Sequence, residues 1–169
     1  MVQNMNDLYA ECYVKPIPNA AANMKKVLLI VVAVAAILAA LLFFSYLSLV
    51  AAAIVVGIIW WRFPYLKVDY EYVFVDGQLD FDKIMGGEKR KTALRIDFDD
   101  LVVMAPEKSH ALDGYQDCTA YDFSANNPDV KNYAIVINKG EKKSRILFSP
   151  DEKMIAIMKN KTRSKIIEI

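Results

Sequence analysis

Hydrophobic patterning divides this chain into two regimes. From Val27 to Trp61 it reads VLLIVVAVAAILAALLFFSYLSLVAAAIVVGIIWW, thirty-five residues without a charge, bracketed by Lys25 and Lys26 in front and Arg62 behind. An uncharged apolar run of about 18 residues or more predicts a membrane span. From Leu66 onward the apolar period drops to two, as in half-buried strands. The 26 residues before the run are mostly polar, which does not fit a signal peptide.

One straight helix over the run would be about 52 Å long, against a hydrocarbon core of about 30 Å. Tilt absorbs so large an excess poorly. A helical hairpin over 20–63, with spans of about 20–43 and 47–63 folded near Phe44–Ser48, fits better than one overlong span. The middle of the run, FFSYLS, carries interfacial residue types, and Trp60, Trp61, Phe63 and Tyr65 form a second belt. Lys25 and Lys26 precede the run and Arg62 and Lys67 follow it, a symmetry expected when both termini are cytoplasmic. Lys25, Lys26, Trp60, Trp61 and Arg62 are the expected interface anchors. Asn19 is the expected N-cap of the first helix, and Pro64 ends the second.

Residues 1–19 read as a polar leader. Met5, Leu8 and Cys12, with Tyr9 and Tyr13 beside them, recur at helical spacing, so the segment is either a short amphipathic surface helix or an irregular tail. Beyond the hairpin, residues 66–169 read as one β domain. In LKVDYEYVFVD, Val68, Tyr70, Tyr72 and Phe74 share a face; Asp76-Gly77 is a strong hairpin signal. QLDFDKIM, a Gly86-Gly87 turn, KRKTALRIDF, LVVMAP, TAYDF, NYAIVIN and SRILF follow, giving six or seven strands in a mainly antiparallel barrel or sandwich. Ser149-Pro150-Asp151-Glu152 reads as a capping box with Ser149 as the cap, opening a C-terminal helix over 150–160 with Met154, Ile155 and Met158 on its apolar face. The terminal IIEI is expected to add to a sheet edge.

Composition narrows the function classes. The chain has 21 basic and 20 acidic residues, with eighteen of each beyond the apolar run, so it lacks the surplus expected of a nucleic-acid binder. Cys12 and Cys118 are isolated thiols. His110 stands without a nucleophile motif. Asp80, Asp82, Asp97, Asp99 and Asp100 alternate with apolar residues, as on the wet face of strands. No cofactor, metal site or small-molecule substrate is expected. Basic groups cluster at two turns, Lys89, Arg90 and Lys91 at one and Lys142, Lys143 and Arg145 at the other, with Lys159, Lys161, Arg163 and Lys165 after the helix. Each Lys or Arg facing an anionic leaflet would contribute about 1 kcal/mol.

NDLYAECYVK, YEYVFVDGQLDFDKI and FSPDEKMIAIMKN resemble stretches of a family of small bacterial membrane proteins. Two membrane helices followed by strands and one C-terminal helix resemble bacterial pleckstrin-homology-like (PH-like) membrane proteins. That resemblance implies a bent, near-closed barrel capped by the last helix, and no catalytic motif. The expected role is a non-enzymatic scaffold or interaction module at the cytoplasmic membrane surface. Its expected partners are the lipid bilayer and another membrane or cytoplasmic protein. The alternative is a sensor that binds anionic headgroups through the basic turns.

Overall fold

A computed structural model describes residues 9–43, 45–139, 142–162 and 165–167. These form two compact units, one of helices and one of strands.

The helical unit comprises residues 18–68 and 85–89. Helix α1 runs Ala20–Phe43 and α2 Tyr46–Arg62. Asn19 caps α1, its side-chain oxygen accepting from the Ala22 amide at 2.8 Å. The break falls inside FFSYLS, where Ser45 takes an extended backbone and leads into α2. No glycine or proline is needed there because Ser48 folds back, its hydroxyl donating to the Ser45 carbonyl at 2.7 Å. Helix α2 then packs along α1. The less exposed stripe of α1 holds Ala33, Ala36 and Ala40, and that of α2 Ala52, Val55, Val56 and Ile59. Small residues let two backbones approach where lipid offers no hydrophobic drive. The helical stretches Ala20–Leu42 and Tyr46–Leu66, the second counting the turn that follows α2, are long and apolar enough to cross a membrane, with mean hydropathies of 2.6 and 1.8. Pro64 opens a 3-10 turn over Phe63–Leu66, and the chain straightens at Lys67.

The second unit is a sandwich of two four-stranded sheets, not the near-closed barrel implied by the resemblance. Strands β1 (Tyr9–Val14), β2 (Val68–Val75), β3 (Gln78–Met85) and β4 (Lys89–Asp97) form the first sheet in that order. Strands β5 (Leu101–Pro106), β6 (Thr119–Asp122), β7 (Tyr133–Lys139) and β8 (Lys142–Phe148) form the second, ordered β5-β7-β8-β6. Its pairs are antiparallel except β6 with β8, which run parallel. The β2–β3 turn is left-handed at both central residues, Asp76 (φ 46°) and Gly77 (φ 94°), as a two-residue hairpin turn requires.

β1 is a correction to the sequence reading. Tyr9–Val14 is neither a surface helix nor an irregular tail; it pairs antiparallel with β2, from Tyr9↔Val75 to Val14↔Tyr70. Ala10, Cys12 and Val14 turn inward and Tyr9, Glu11 and Tyr13 outward. A partner strand supplies the hydrogen bonds that an isolated leader would take from water. Met5 and Leu8 lie outside the described residues.

The core sits between the sheets. Tyr72, Phe74, Leu79, Phe81 and Ile96 from the first meet Met104, Ile135, Ile146 and Phe148 from the second. Tyr72 and Phe81 contact Phe148 edge-on, at centroid separations of 5.5 and 5.7 Å. Helix α3 (Glu152–Lys161) adds Met154, Ile155 and Met158 to this core and packs against β1. As expected for IIEI, Ile166 bridges to Met104 on the outer edge of β5: Met104 N donates to Lys165 O and Ile167 N to Met104 O.

The cap of α3 is a second correction. Asp151, not Ser149, occupies the N-cap, accepting from the Met154 amide at 2.7 Å. Pro150 therefore precedes the cap. Ser149 is buried and fastens a loop: its hydroxyl accepts from Ala125 N at 2.8 Å and donates to Asn132 Oδ1 at 2.7 Å. Asp151→Ala should lower stability by about 1 kcal/mol, read as a small fall in melting temperature of the full chain in detergent. No change would place the cap elsewhere.

Candidate functional site

The tip of the β3–β4 hairpin, residues 85–89, belongs to the helical unit. Gly86 (φ 65°) and Gly87 (φ 82°) make the turn, with backbone angles L side chains rarely adopt. The Gly86 amide donates to the Lys67 carbonyl at 3.1 Å, tying the tip to the segment that leaves α2. Between them lies a cleft of about 770 Å³ lined by Gly57, Trp60, Trp61, Pro64, Tyr65 and the tip residues Met85, Gly86, Glu88 and Lys89. Small-molecule sites commonly fall in the range of about 300–1,000 Å³. The Lys89 ammonium sits 5.9 Å from the Tyr65 ring centroid, a cation–π distance. Trp60 and Trp61 remain 78% and 71% exposed, as belt residues meeting a membrane interface would be.

The cleft therefore joins one residue of the basic turn, Lys89, to two expected anchors, Trp60 and Trp61. Arg62 closes α2 beside them, whereas Lys25 and Lys26 lie in the early turns of α1. Sequence reasoning had named both halves without connecting them. It missed Gly57 and Tyr65 as lining residues because only the fold brings α2 against a turn more than twenty residues away.

The other basic residues go elsewhere. Arg90 is committed to an ion pair with the buried Glu71, while Lys91 is exposed. Lys142, Lys143 and Arg145 lie on β8, in the other sheet; Lys143 sits 5.1 Å from the Tyr115 ring centroid. Arg90 serves the outer face of the first sheet. Lys143 and Arg145 alternate with the inward Ile146 and Phe148, so they belong to the outer face of the second. Outer faces of a sandwich point apart, so these cations do not form one patch. Lys161 pairs with Asp76 at 2.9 Å, and Arg163 lies outside the described residues.

The carboxylates have structural partners too. Asp80 holds Arg95 through two hydrogen bonds, 2.7 and 2.6 Å, and Asp97 caps the short turn Phe98–Asp100. His110 meets Asp113 at 3.1 Å on the surface. Among the described residues no group of three or more His, Cys, Asp or Glu side chains is arranged to hold a metal. Cys12 is buried with its thiol pKa raised, chiefly by desolvation, which makes it a poor nucleophile.

One acidic group departs from the expectation of a wet strand face. Asp69, Glu71 and Asp82, outward by pattern, are all buried. Tyr13 covers part of this face, donating to Asp69 at 2.6 Å; that bond pushes its phenol pKa up to about 12. The two-residue turn sets Glu71 across from Asp82, whose Oδ1 has no hydrogen-bond partner among the described residues. Glu71 titrates above the usual carboxylate range through burial and its hydrogen bond with Glu11, with Arg90 opposing.

No curated protein and no solved structure matches the chain. A family model does, described as "Bacterial PH-like domain (DUF6106)", and its match spans residues 6–168, covering β1, both membrane-length helices, the two sheets and α3. The chain belongs to this family of bacterial PH-like domains.

Proposed function

We propose that the protein is a two-span, non-enzymatic membrane protein that holds its PH-like domain at the cytoplasmic face as an interaction module for another protein. The pairing of β1 with β2 carries this reading. The two strands flank the helical hairpin in sequence yet are neighbours in one ladder. Strands of one ladder lie on the same side of a bilayer, so the chain between them crosses an even number of times. That argues against a single overlong span. Lys25 and Lys26 ahead of the uncharged run, and Arg62 and Lys67 behind it, favour the cytoplasm as that side.

One observation supports an interaction role. β4 is an edge strand of nine residues whose side chains are exposed apart from Leu94 and Ile96, a surface on which a partner can add a strand. Asp80 and Asp97, together with His110, the lone histidine, have structural partners, which supports the non-enzymatic part of the reading.

Topology is tested by thiol labelling. Native Cys12 is unsuitable because the fold buries it; Lys15→Cys, at an exposed position before α1, replaces it as the reporter alongside Cys118. An impermeant maleimide should label neither site in intact cells and both after permeabilisation. One site labelled in intact cells would mean one span, and both labelled would invert the orientation. For the interaction role, a photo-crosslinking residue at exposed Ala93 should give a discrete heterologous adduct at native expression. Adducts to this chain alone, or none, would overturn it.

A further inference from the structure

We propose that the cleft between α2 and the β3–β4 tip binds one zwitterionic phospholipid of the phosphatidylethanolamine class. Its phosphate would lie on Lys89, its ammonium on Glu88, and its acyl region along Gly57 and Trp61. The proposal goes beyond the interaction role but rests on the helices spanning the bilayer.

The lining is apolar at one end and charged at the other. Gly57, Trp60, Trp61, Pro64 and Met85 supply the apolar wall; Tyr65, Glu88 and Lys89 supply the rim. A Cβ built on Gly57 would meet nothing within 4 Å, so the missing side chain leaves an open notch in α2. A water-soluble metabolite would leave that notch and both tryptophans in contact with nothing it could satisfy. A lipid fills them with its glycerol and upper acyl carbons. The tryptophans mark the depth at which headgroups lie.

Charge selects the headgroup. Lys89 is held at the rim by the Tyr65 ring and offers its ammonium to a phosphate. Glu88 sits beside it in the same cleft and repels a ligand that carries only negative charge. A headgroup with both signs complements both residues. A primary ammonium donates hydrogen bonds to a carboxylate, which a quaternary one cannot do. The cation count thus points away from a purely anionic lipid, although Lys89 belongs to a basic turn.

The test uses the full chain, purified in mild detergent and exposed to equal amounts of phosphatidylethanolamine, phosphatidylglycerol and phosphatidylcholine. Retained lipid is counted by native mass spectrometry. Phosphatidylethanolamine should be retained above the other two. Glu88→Gln should cut that preference about tenfold, the loss of one charge-assisted hydrogen bond. Gly57→Leu should abolish retention by filling the notch; leucine is a good helix former, and it meets open space there. Equal retention of all three lipids, or preference for phosphatidylglycerol, would overturn the proposal. So would unchanged retention in Gly57→Leu, or displacement of the lipid by millimolar glycerophosphoethanolamine, which lacks acyl chains. Reconstitution of the wild-type chain into nanodiscs is read separately: its failure overturns the membrane reading, whereas success without selectivity overturns only the lipid assignment.

Discussion

Phe81→Ala is expected to cost about 3–5 kcal/mol, the range for truncating a fully buried aromatic. Phe81 has no exposed surface and stands where three parts of the sandwich meet. Its ring stacks on Phe123 at 4.8 Å and meets Tyr72 and Phe148 edge-on. Tyr72 in turn donates its hydroxyl to the Phe123 carbonyl and accepts from the Ser149 amide at 3.4 Å. Removing the ring therefore leaves a cavity and loosens the packing that aligns a buried polar network. Urea unfolding of the full chain in detergent, followed by near-ultraviolet circular dichroism, measures the loss. Val130→Ala, at a partly exposed loop position, is the control and should shift stability by less than about 0.5 kcal/mol. A Phe81 effect as small as the control's would mean the sheets do not close on this residue.

Arg90→Ala should destabilise the protein by about 1–3 kcal/mol at neutral pH, and by much less in acid. Breaking a buried ion pair commonly costs about 3–5 kcal/mol because the other charge is stranded. The Arg90 side chain is 55% exposed while that of Glu71 is 6% exposed, so solvent already screens part of the interaction. The pH dependence follows from the direction of the Glu71 shift. A carboxyl with a raised pKa binds more protons folded than unfolded, so its contribution is complete below the unfolded value. It is lost as pH rises through the folded value. Arg90 limits that loss, and alanine removes the limit. Glu11 behaves oppositely: its pKa is lowered, first by the Tyr9 hydrogen bond and then by that of Glu71, so its contribution fades as pH falls. Melting temperatures at pH 8 and pH 5 separate the cases. The gap between wild type and Arg90→Ala should be wide at pH 8 and narrow at pH 5; a gap independent of pH would mean Arg90 acts by packing alone.

Much of this architecture is legible from period and punctuation. The helical break, the Asn19 cap, the Asp76-Gly77 turn and the apolar face of α3 are local devices, written in residues next to the structure they make. What escaped is nonlocal. YAECYV satisfies a helical period through Cys12 and its neighbours, and a strand period through Ala10, Cys12 and Val14; only β2 decides between them. Ser149 and Asp151 are both good caps by composition. The choice fell to Asp151 because Ser149 is claimed by Ala125 and Asn132, which no spacing rule can see. Asp82 reads as solvated because alternation gives the face of a residue and not what covers it, and Asp69 and Glu71 are buried at outward positions of β2 that alternation alone would leave open. The cleft was half legible: Lys89 and the tryptophans stand out singly, but their meeting depends on the tertiary fold.

The ladder between β1 and β2 also sets an order of events during synthesis. β1 leaves the ribosome ahead of the helices and has no partner until both of them have been made and β2 follows. Until then its backbone groups have no sheet to join, and Ala10, Cys12 and Val14 have no core to enter. Closing so long a loop is slow compared with forming a local hairpin, so the β2–β3–β4 meander can assemble first and receive β1 last. In the proposed two-span topology membrane insertion then precedes completion of the sheet, and the folded domain would act as a latch: once β1 is seated under α3, the helical hairpin could not be withdrawn or inverted without opening the domain that holds its two ends together.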